Sequence, residues 1–311
     1  PHIYINGEHI AYKTKSLQTI HPGLNFTSLK EGASYYNGDM SVPVLFSKVL
    51  SDKEISQLVA KGYTRNTDER ILDWIPYADT RSLLAWSDGN YEFVTSDGIK
   101  REVKVEKTGS PVMINQKWEV SFPKGLGAPE KISLPKLFSL HRHENEGVKY
   151  FSGTATYKTN FVVKPSMMSE DRVVFLDLGA VEVMAEVIVN GVNKGIFWSR
   201  PYLIDVTDVL KPGENTLEIK VTNQWTNRLI GDEQLPEENE YVPGGGVNGI
   251  AALSRGAIRK LPDWYRNGVN KPEGGRVAFT TWKHYRKDSP LIESGLIGPV
   301  RLIPAKKIEF E

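Results

Sequence analysis

Between Thr154 and Phe161 polar and apolar positions trade places at every step. Thr154, Thr156, Lys158 and Asn160 interleave with Ala155, Tyr157, Thr159 and Phe161, the period of two of a strand with one wet and one dry face. The same spacing returns through residues 148–223, and each strand-like run is followed by a turn signal. Asn190-Gly191 stands between apolar runs at 187–189 and 195–197, and both residue types tolerate the positive φ of a tight hairpin. Pro212-Gly213-Glu214-Asn215 has the same role ahead of a strand at 216–221. The pattern predicts one antiparallel β-sandwich over 148–223.

Upstream, Ile3-Tyr4-Ile5-Asn6-Gly7-Glu8-His9-Ile10 reads as strand, turn and return strand, and residues 42–46 as a further strand. Ser51 precedes Glu54 by three residues, a capping box, and Leu50, Ile55, Leu58 and Val59 form one apolar stripe, so a short helix is predicted there. Runs at 91–95 and 101–105 flank Ser96-Asp97-Gly98, a hairpin signal. Residues 235–281 are irregular and rich in Gly, Pro and charge, a length that in a compact domain points to a binding loop. Within it Leu253, Ala257, Ile258 and Leu261 have helical spacing, and residues 279–282 and 300–303 read as the last strands. No internal repeat is evident.

Composition narrows the classes. With 311 residues there is length for two domains, and a hydrophobic share of 40% is enough for ordinary cores. Lys and Arg number 39 against 38 Asp and Glu, a net charge of +1, so no field exists to hold a nucleic acid or an anionic membrane. No run of about eighteen apolar residues is present to span a bilayer. The absence of cysteine excludes disulfides, thiolate metal sites and a Cys nucleophile. The chain opens at Pro1 directly in strand-like alternation, and a portion of a longer polypeptide is expected.

Three segments carry a family resemblance: Phe151-Ser152-Gly153-Thr154-Ala155-Thr156-Tyr157, the L-D-L-G…V-x-V-N-G…G pattern from Leu176 to Gly195, and D-V-T-D-V-L-K-P-G-E-N-x-L from Asp205 to Leu217. Together they resemble the sugar-binding, galactose-binding-like jelly roll of family-two-type glycoside hydrolases. Trp225-Thr226-Asn227-Arg228-Leu229-Ile230-Gly231-Asp232-Glu233-Gln234-Leu235-Pro236 and Ser294-Gly295-Leu296-Ile297-Gly298-Pro299-Val300 resemble the C-terminal part of large bacterial hydrolases of the α-L-rhamnosidase type. The pattern Y-I-N-G…Y-N-G-D…V-L-x-x-x-L-S-D-x-E-I-x-x-L in residues 1–62 resembles the closing half of a laminin-G or concanavalin A-like jelly roll.

The expectation is therefore an all-β, multi-module β-sandwich chain. A partial concanavalin A-like jelly roll would occupy 1–62, a small β bridging region 63–116, and the galactose-binding-like sandwich 117–311. What the resemblance implies is a non-catalytic accessory or scaffold portion of a periplasmic or extracellular glycoside hydrolase. Its partners would be carbohydrate and a catalytic domain or companion fragment of the same protein, whose acids are absent from this chain. Two other classes stay open: a free-standing carbohydrate-binding or adhesion protein, and a glycosidase whose site lies in this chain at Asp232, Glu233 and His284.

Pyranose faces stack on aromatic rings, and ring hydroxyls seek amides, carboxylates and guanidinium groups. Residues of these types concentrate in three stretches: Trp198 and Arg200; Trp225, Asn227, Arg228, Asp232 and Glu233; and Trp282, His284 and Tyr285. These are the candidate carbohydrate contacts, against the alternative that the tryptophans rim the core and Arg228 pairs with Asp232 or Glu233. His141-x-His143-Glu144 has a metal-like spacing without a third ligand, and reads better as a solvated loop. Calcium suits such sandwiches better; Asp177, Asp205 and Asp208 are the nearest acids, although Asp205-x-x-Asp208 also reads as turn chemistry. Gly244-Gly245-Gly246-Val247-Asn248-Gly249 contains G-x-G-x-x-G but lacks the strand and helix of a dinucleotide site, and so reads as a loop. Asn25-Phe26-Thr27 is a formal glycosylation triplet.

Overall fold

The computed structural model describes residues 3–5, 8–10, 51–61, 72–74, 82–94, 98–242, 256–272 and 274–309. The chain divides into two compact units, Pro1–Glu69 and Arg70–Glu311.

In the first unit β1 (Ile3–Ile5) and β2 (Glu8–Ile10) pair antiparallel with Ile3 opposite Ile10. Helix α1 (Asp52–Lys61) begins as its capping box requires. Ser51 N–H donates to Glu54 Oε2 at 2.8 Å and Glu54 N–H to Ser51 Oγ at 3.3 Å, so two otherwise orphaned donors of the first turn are satisfied reciprocally. The strand expected at 42–46, the Asn25 triplet and the glycine run at 244–249 lie outside the described residues.

The second unit is all-β, a sandwich of two sheets. Its strands are β3 (Leu72–Trp74), β4 (Ser82–Ala85), β5 (Gly89–Val94), β6 (Lys100–Val105), β7 (Val112–Met113), β8 (Trp118–Ser121) and β9 (Lys131–Leu134). After the one-turn helix α2 (Glu146–Lys149) come β10 (Thr154–Val163), β11 (Arg172–Asp177), β12 (Ala180–Glu182), β13 (Met184–Val189), β14 (Val192–Phe197), β15 (Leu203–Asp205) and β16 (Gly213–Thr222). Helices α3 (Thr226–Asp232) and α4 (Asp263–Arg266) precede β17 (Gly295–Gly298) and β18 (Arg301–Glu309).

One sheet runs β14-β13-β16-β10-β8-β9 and the other β15-β11-β18-β4-β3, with β7 also on β18. The alternation read in β10 decides which side faces in: Ala155, Tyr157, Thr159 and Phe161 are buried, while Lys158 and Asn160 face water. With them Val187 and Val189 of β13 and Leu217, Ile219 and Val221 of β16 form the inner layer. Val174 and Leu176 of β11, Ile204 of β15 and Leu302 of β18 meet them from the opposite sheet, the close-packed contact of a two-layer fold. The β13–β14 hairpin turns at Asn190 and Gly191, with φ of 50° and 82°, the left-handed pair that a two-residue turn needs.

Residues N-terminal to the expected sandwich boundary also enter its second sheet. β4 pairs with β18 through Lys306 opposite Ala85, and β7 pairs with β18 through Arg301 opposite Met113. The hairpin signalled by Asp97-Gly98 forms between β5 and β6. The helix expected from the spacing of Leu253, Ala257, Ile258 and Leu261 does not run through 257–258. Ala257 and Ile258 instead bridge to Trp282 and Tyr241, because two neighbouring backbone segments take up hydrogen-bonding groups that a helix would pair internally. Residues 279–282 form one such bridge, not a regular strand, whereas the strand expected at 300–303 is part of β18.

Candidate functional site

The site is built where β16 runs out. Thr222, its last residue, lies between Met184 and Thr154 on the neighbouring strands. Asn223 then ends the ladder with its side chain: the amide donates to Phe151 O at 2.8 Å and Ser294 Oγ at 2.6 Å, and its oxygen accepts from Gly153 N–H at 2.8 Å. This fastened corner launches α3 across the end of the sandwich. Asn227 clamps the chain entering β17, donating to Ile292 O at 2.8 Å and accepting from Ile292 N–H at 2.9 Å.

One turn later Arg228 and Asp232, at i and i+4, form an ion pair of 3.0 Å with side chains only 7% and 4% exposed. Asp232 also accepts from the backbone N–H groups of Val277 at 3.0 Å and Ala278 at 2.7 Å. A buried carboxylate is tolerated only when its charge and lone pairs are answered in this way. The bonds to residues 277 and 278 lay the 276–284 segment alongside α3.

Alternate residues of that segment, Arg276, Ala278, Thr280, Trp282 and His284, line one cavity. Leu229, Asp232 and Glu233 supply the α3 side, and Asn239, Tyr241 and Tyr285 complete the wall. The space is a shallow, solvent-open cleft, whose empty volume of about 350 Å³ includes open solvent. On the opposite face of the segment Phe279 packs against Trp264 and Tyr265 of α4, with ring centroids 5.0 and 5.2 Å apart.

Charged residues hold the cleft closed along its base. Arg276, buried, reaches Glu233 at 2.6 Å and Glu237 at 3.3 Å, and donates to the carbonyls of Pro236 at 3.1 Å and Leu235 at 3.2 Å. Lys283 pairs with Glu237, and Lys271 with Glu238 at 2.8 Å. Burial pushes the Glu238 carboxyl up, but the Lys271 ammonium and the Arg276 backbone N–H outweigh it and hold the group below the usual range. Above this base the polar edges are open. Among the described residues, the Asn239 amide, the Trp282 indole N–H, the His284 imidazole and Glu233 Oε2 have no hydrogen-bond partner.

Of the candidate contacts, Asp232, Glu233, Trp282, His284 and Tyr285 thus meet in one cleft. Asn227 and Arg228 sit behind it, buried, with Asn227 bonded to Ile292 and Arg228 to Asp232. Trp225, 54% exposed, stands at the start of α3, and Trp198, 73% exposed, follows β14. Neither lines the cleft, although both lie at this end of the sheet, since β14 ends opposite the start of β13 and β13 starts opposite the end of β16. Arg200 pairs with Glu182 at 3.0 Å. Asn239, Tyr241, Arg276, Ala278 and Thr280 are not among the sequence candidates, and no alternation of polar and apolar types from Arg276 to His284 marks them.

The residues considered for metals are occupied otherwise. His141 Nδ1 meets Ser139 Oγ at 2.6 Å, and its pKa is lowered by burial and further by Arg142. His143 Nδ1 accepts from Asn145 N–H at 3.0 Å. Asp177 takes Arg301 at 2.9 Å, Asp205 caps Thr207 at 2.6 Å, and Asp208 takes Lys194 at 2.7 Å. No group of three or more His, Asp or Glu placed to hold a metal ion occurs among the described residues, and no described helix is long and apolar enough to cross a membrane.

Residues 135–265 match the family described as Glycosyl hydrolase 2 galactose-binding domain-like, and the fold is a mostly β, galactose-binding-like sandwich. A protein of Formosa agariphila named as a putative beta-glucuronidase is 40% identical over 214 residues, which cover 69% of this chain and 17% of that protein. The chain therefore spans about one sixth of that relative. The structure of a rhamnosidase from Novosphingobium sp. PP1Y is similar at 36% identity and a TM-score of 0.48, over 65% of this chain and 16% of that one. A β-glucuronidase from Ruminococcus gnavus is similar at 21% identity and a TM-score of 0.32, over 36% of this chain and 21% of that one.

Proposed function

We propose that this chain is the non-catalytic accessory part of a larger periplasmic or extracellular glycoside hydrolase of the α-L-rhamnosidase type, and that its sandwich contacts glycan through the cleft beside α3. Residues 1–62 would form the expected concanavalin A-like module and residues 63–116 the bridging region, whose strands β4 and β7 join the second sheet of the sandwich.

The observation that carries this reading is the division of labour in the cleft. Glycoside hydrolysis needs two carboxyl groups across the scissile bond, one of them able to give up a proton. Asp232 instead receives an arginine and two backbone donors, and Glu233 is tied to Arg276. These acids build the wall, while an indole, an amide and an imidazole are left to meet a ligand. Sugar rings are recognised by that combination of aromatic face and planar hydrogen-bonding edge.

The test has two arms. The chain should release no chromophore from aryl rhamnosides or aryl glucuronides, and saturation-transfer NMR should detect glycan binding that Trp282→Ala abolishes with the fold intact. Turnover that disappears in a folded Asp232→Asn variant would move the catalytic site into this chain and overturn the proposal.

A further inference from the structure

The arginines and lysines that build the base of the cleft are committed. Arg276 has Glu233, Glu237 and two backbone carbonyls; Arg228, Lys271 and Lys283 each have a carboxylate. What faces the open space is one unshared carboxylate oxygen, Glu233 Oε2, together with the Asn239 amide, the Trp282 N–H and the His284 ring.

A sugar hydroxyl can serve all of these, donating to Glu233 and accepting from the amide or the indole. A sugar carboxylate can only accept. It would stand beside the Glu233 carboxylate in a partly desolvated cleft, and could gain the arginine that lines that cleft only by pulling Arg276 away from its own carboxylates and carbonyls. We infer that the cleft takes a neutral sugar ring and excludes the uronic acid of the same configuration, with Glu233 the discriminating residue. This rests on the reading of the cleft as a glycan contact.

The experiment uses the whole chain and matched methyl glycosides: glucose against glucuronic acid, galactose against galacturonic acid, with rhamnose as a further neutral ring. NMR titration should give each neutral ring about tenfold or tighter affinity over its acid, the scale of one like-charge contact of about 1.4 kcal/mol. Glu233→Gln should narrow the gap by raising uronate affinity, since it removes the like charge beside the uronate while Arg276 keeps Glu237; a thermal melt checks that the variant is folded. Should that variant not fold, raising the salt concentration on the wild-type chain narrows the gap by screening. A uronate that binds as tightly as its neutral counterpart overturns the inference and leaves the glycan reading standing. No binding of any ring by the folded chain removes both.

Discussion

The guanidinium of Arg276 meets Glu233 at 2.6 Å across 43 residues of chain. It thereby ties the 276–284 segment of the cleft to the end of α3. Arg276 also donates through Nε and Nη2 to the carbonyls of Pro236 and Leu235, so one planar group fixes both the charge and the backbone of this corner. Arg276→Met should cost about 3 kcal/mol, because it leaves a largely buried carboxylate unanswered. Arg276→Lys should recover only part, lacking the fork that reaches both carbonyls. Urea denaturation measures both, and a methionine variant as stable as wild type would remove Arg276 from this role.

The Arg228–Asp232 pair should behave as a unit. Asp232→Asn keeps an acceptor for the backbone but strands the buried guanidinium, an expected loss of about 3 kcal/mol. Adding Arg228→Met should restore a large share of that, a coupling read from a double-mutant cycle. Additive losses would show that the two side chains act independently.

Gly295 stands where no side chain fits. Its φ is +88°, and a Cβ there would overlap the Tyr157 hydroxyl and lie 2.9 Å from Leu140 Cγ. Gly295→Ala should cost on the order of 3 kcal/mol, a combined strain and overpacking effect. Tyr157→Phe should cost about 1 kcal/mol, since the hydroxyl accepts from Leu296 N–H at 3.2 Å in the core. Burial holds this phenol above its ordinary range, so it should stay silent in an ultraviolet pH titration until the fold is lost.

Acid should open the cleft before it unfolds the sandwich. Glu238, whose folded pKa is held below its ordinary value despite burial, favours the folded state most when charged. Its contribution is complete above the unfolded pKa of about 4.3 and disappears as pH falls through the lower, folded value. Pepsin digestion at pH values stepped down from about 4.3 should therefore cut first within 236–242 or 274–283, and Glu238→Gln should lessen the pH dependence of that cleavage. Cleavage that begins instead in β10 or β16 would sink the idea.

The cap of α1 gives a local check. Ser51→Ala removes the acceptor for Glu54 N–H and should cost about 1 kcal/mol of helix stability. Hydrogen exchange at residues 52–55 is the readout, and unchanged protection would mean that packing alone holds the helix.

Much of the sandwich was written in local pattern. The alternation of β10 fixed its inner and outer faces, Asn190-Gly191 fixed a hairpin, and Ser51 with Glu54 fixed a helix start, because each depends on residues a few positions apart. The motifs around Leu176 and Asp205 also carried the galactose-binding-like character. What sequence could not decide was which polar residues stand together. Asp232 looked like a catalytic or sugar-binding acid, yet its partners are Arg228 one turn away and two N–H groups at 277 and 278, brought close by the irregular segment. Arg276 drew no notice, and Ala257 and Ile258 suggested a helix, until the bridges to Trp282 and Tyr241 supplied their backbone partners. Strand faces and tight turns follow from short-range sterics and burial, whereas the cleft is made by contacts between segments some 40 residues apart, whose pairing only the folded chain selects.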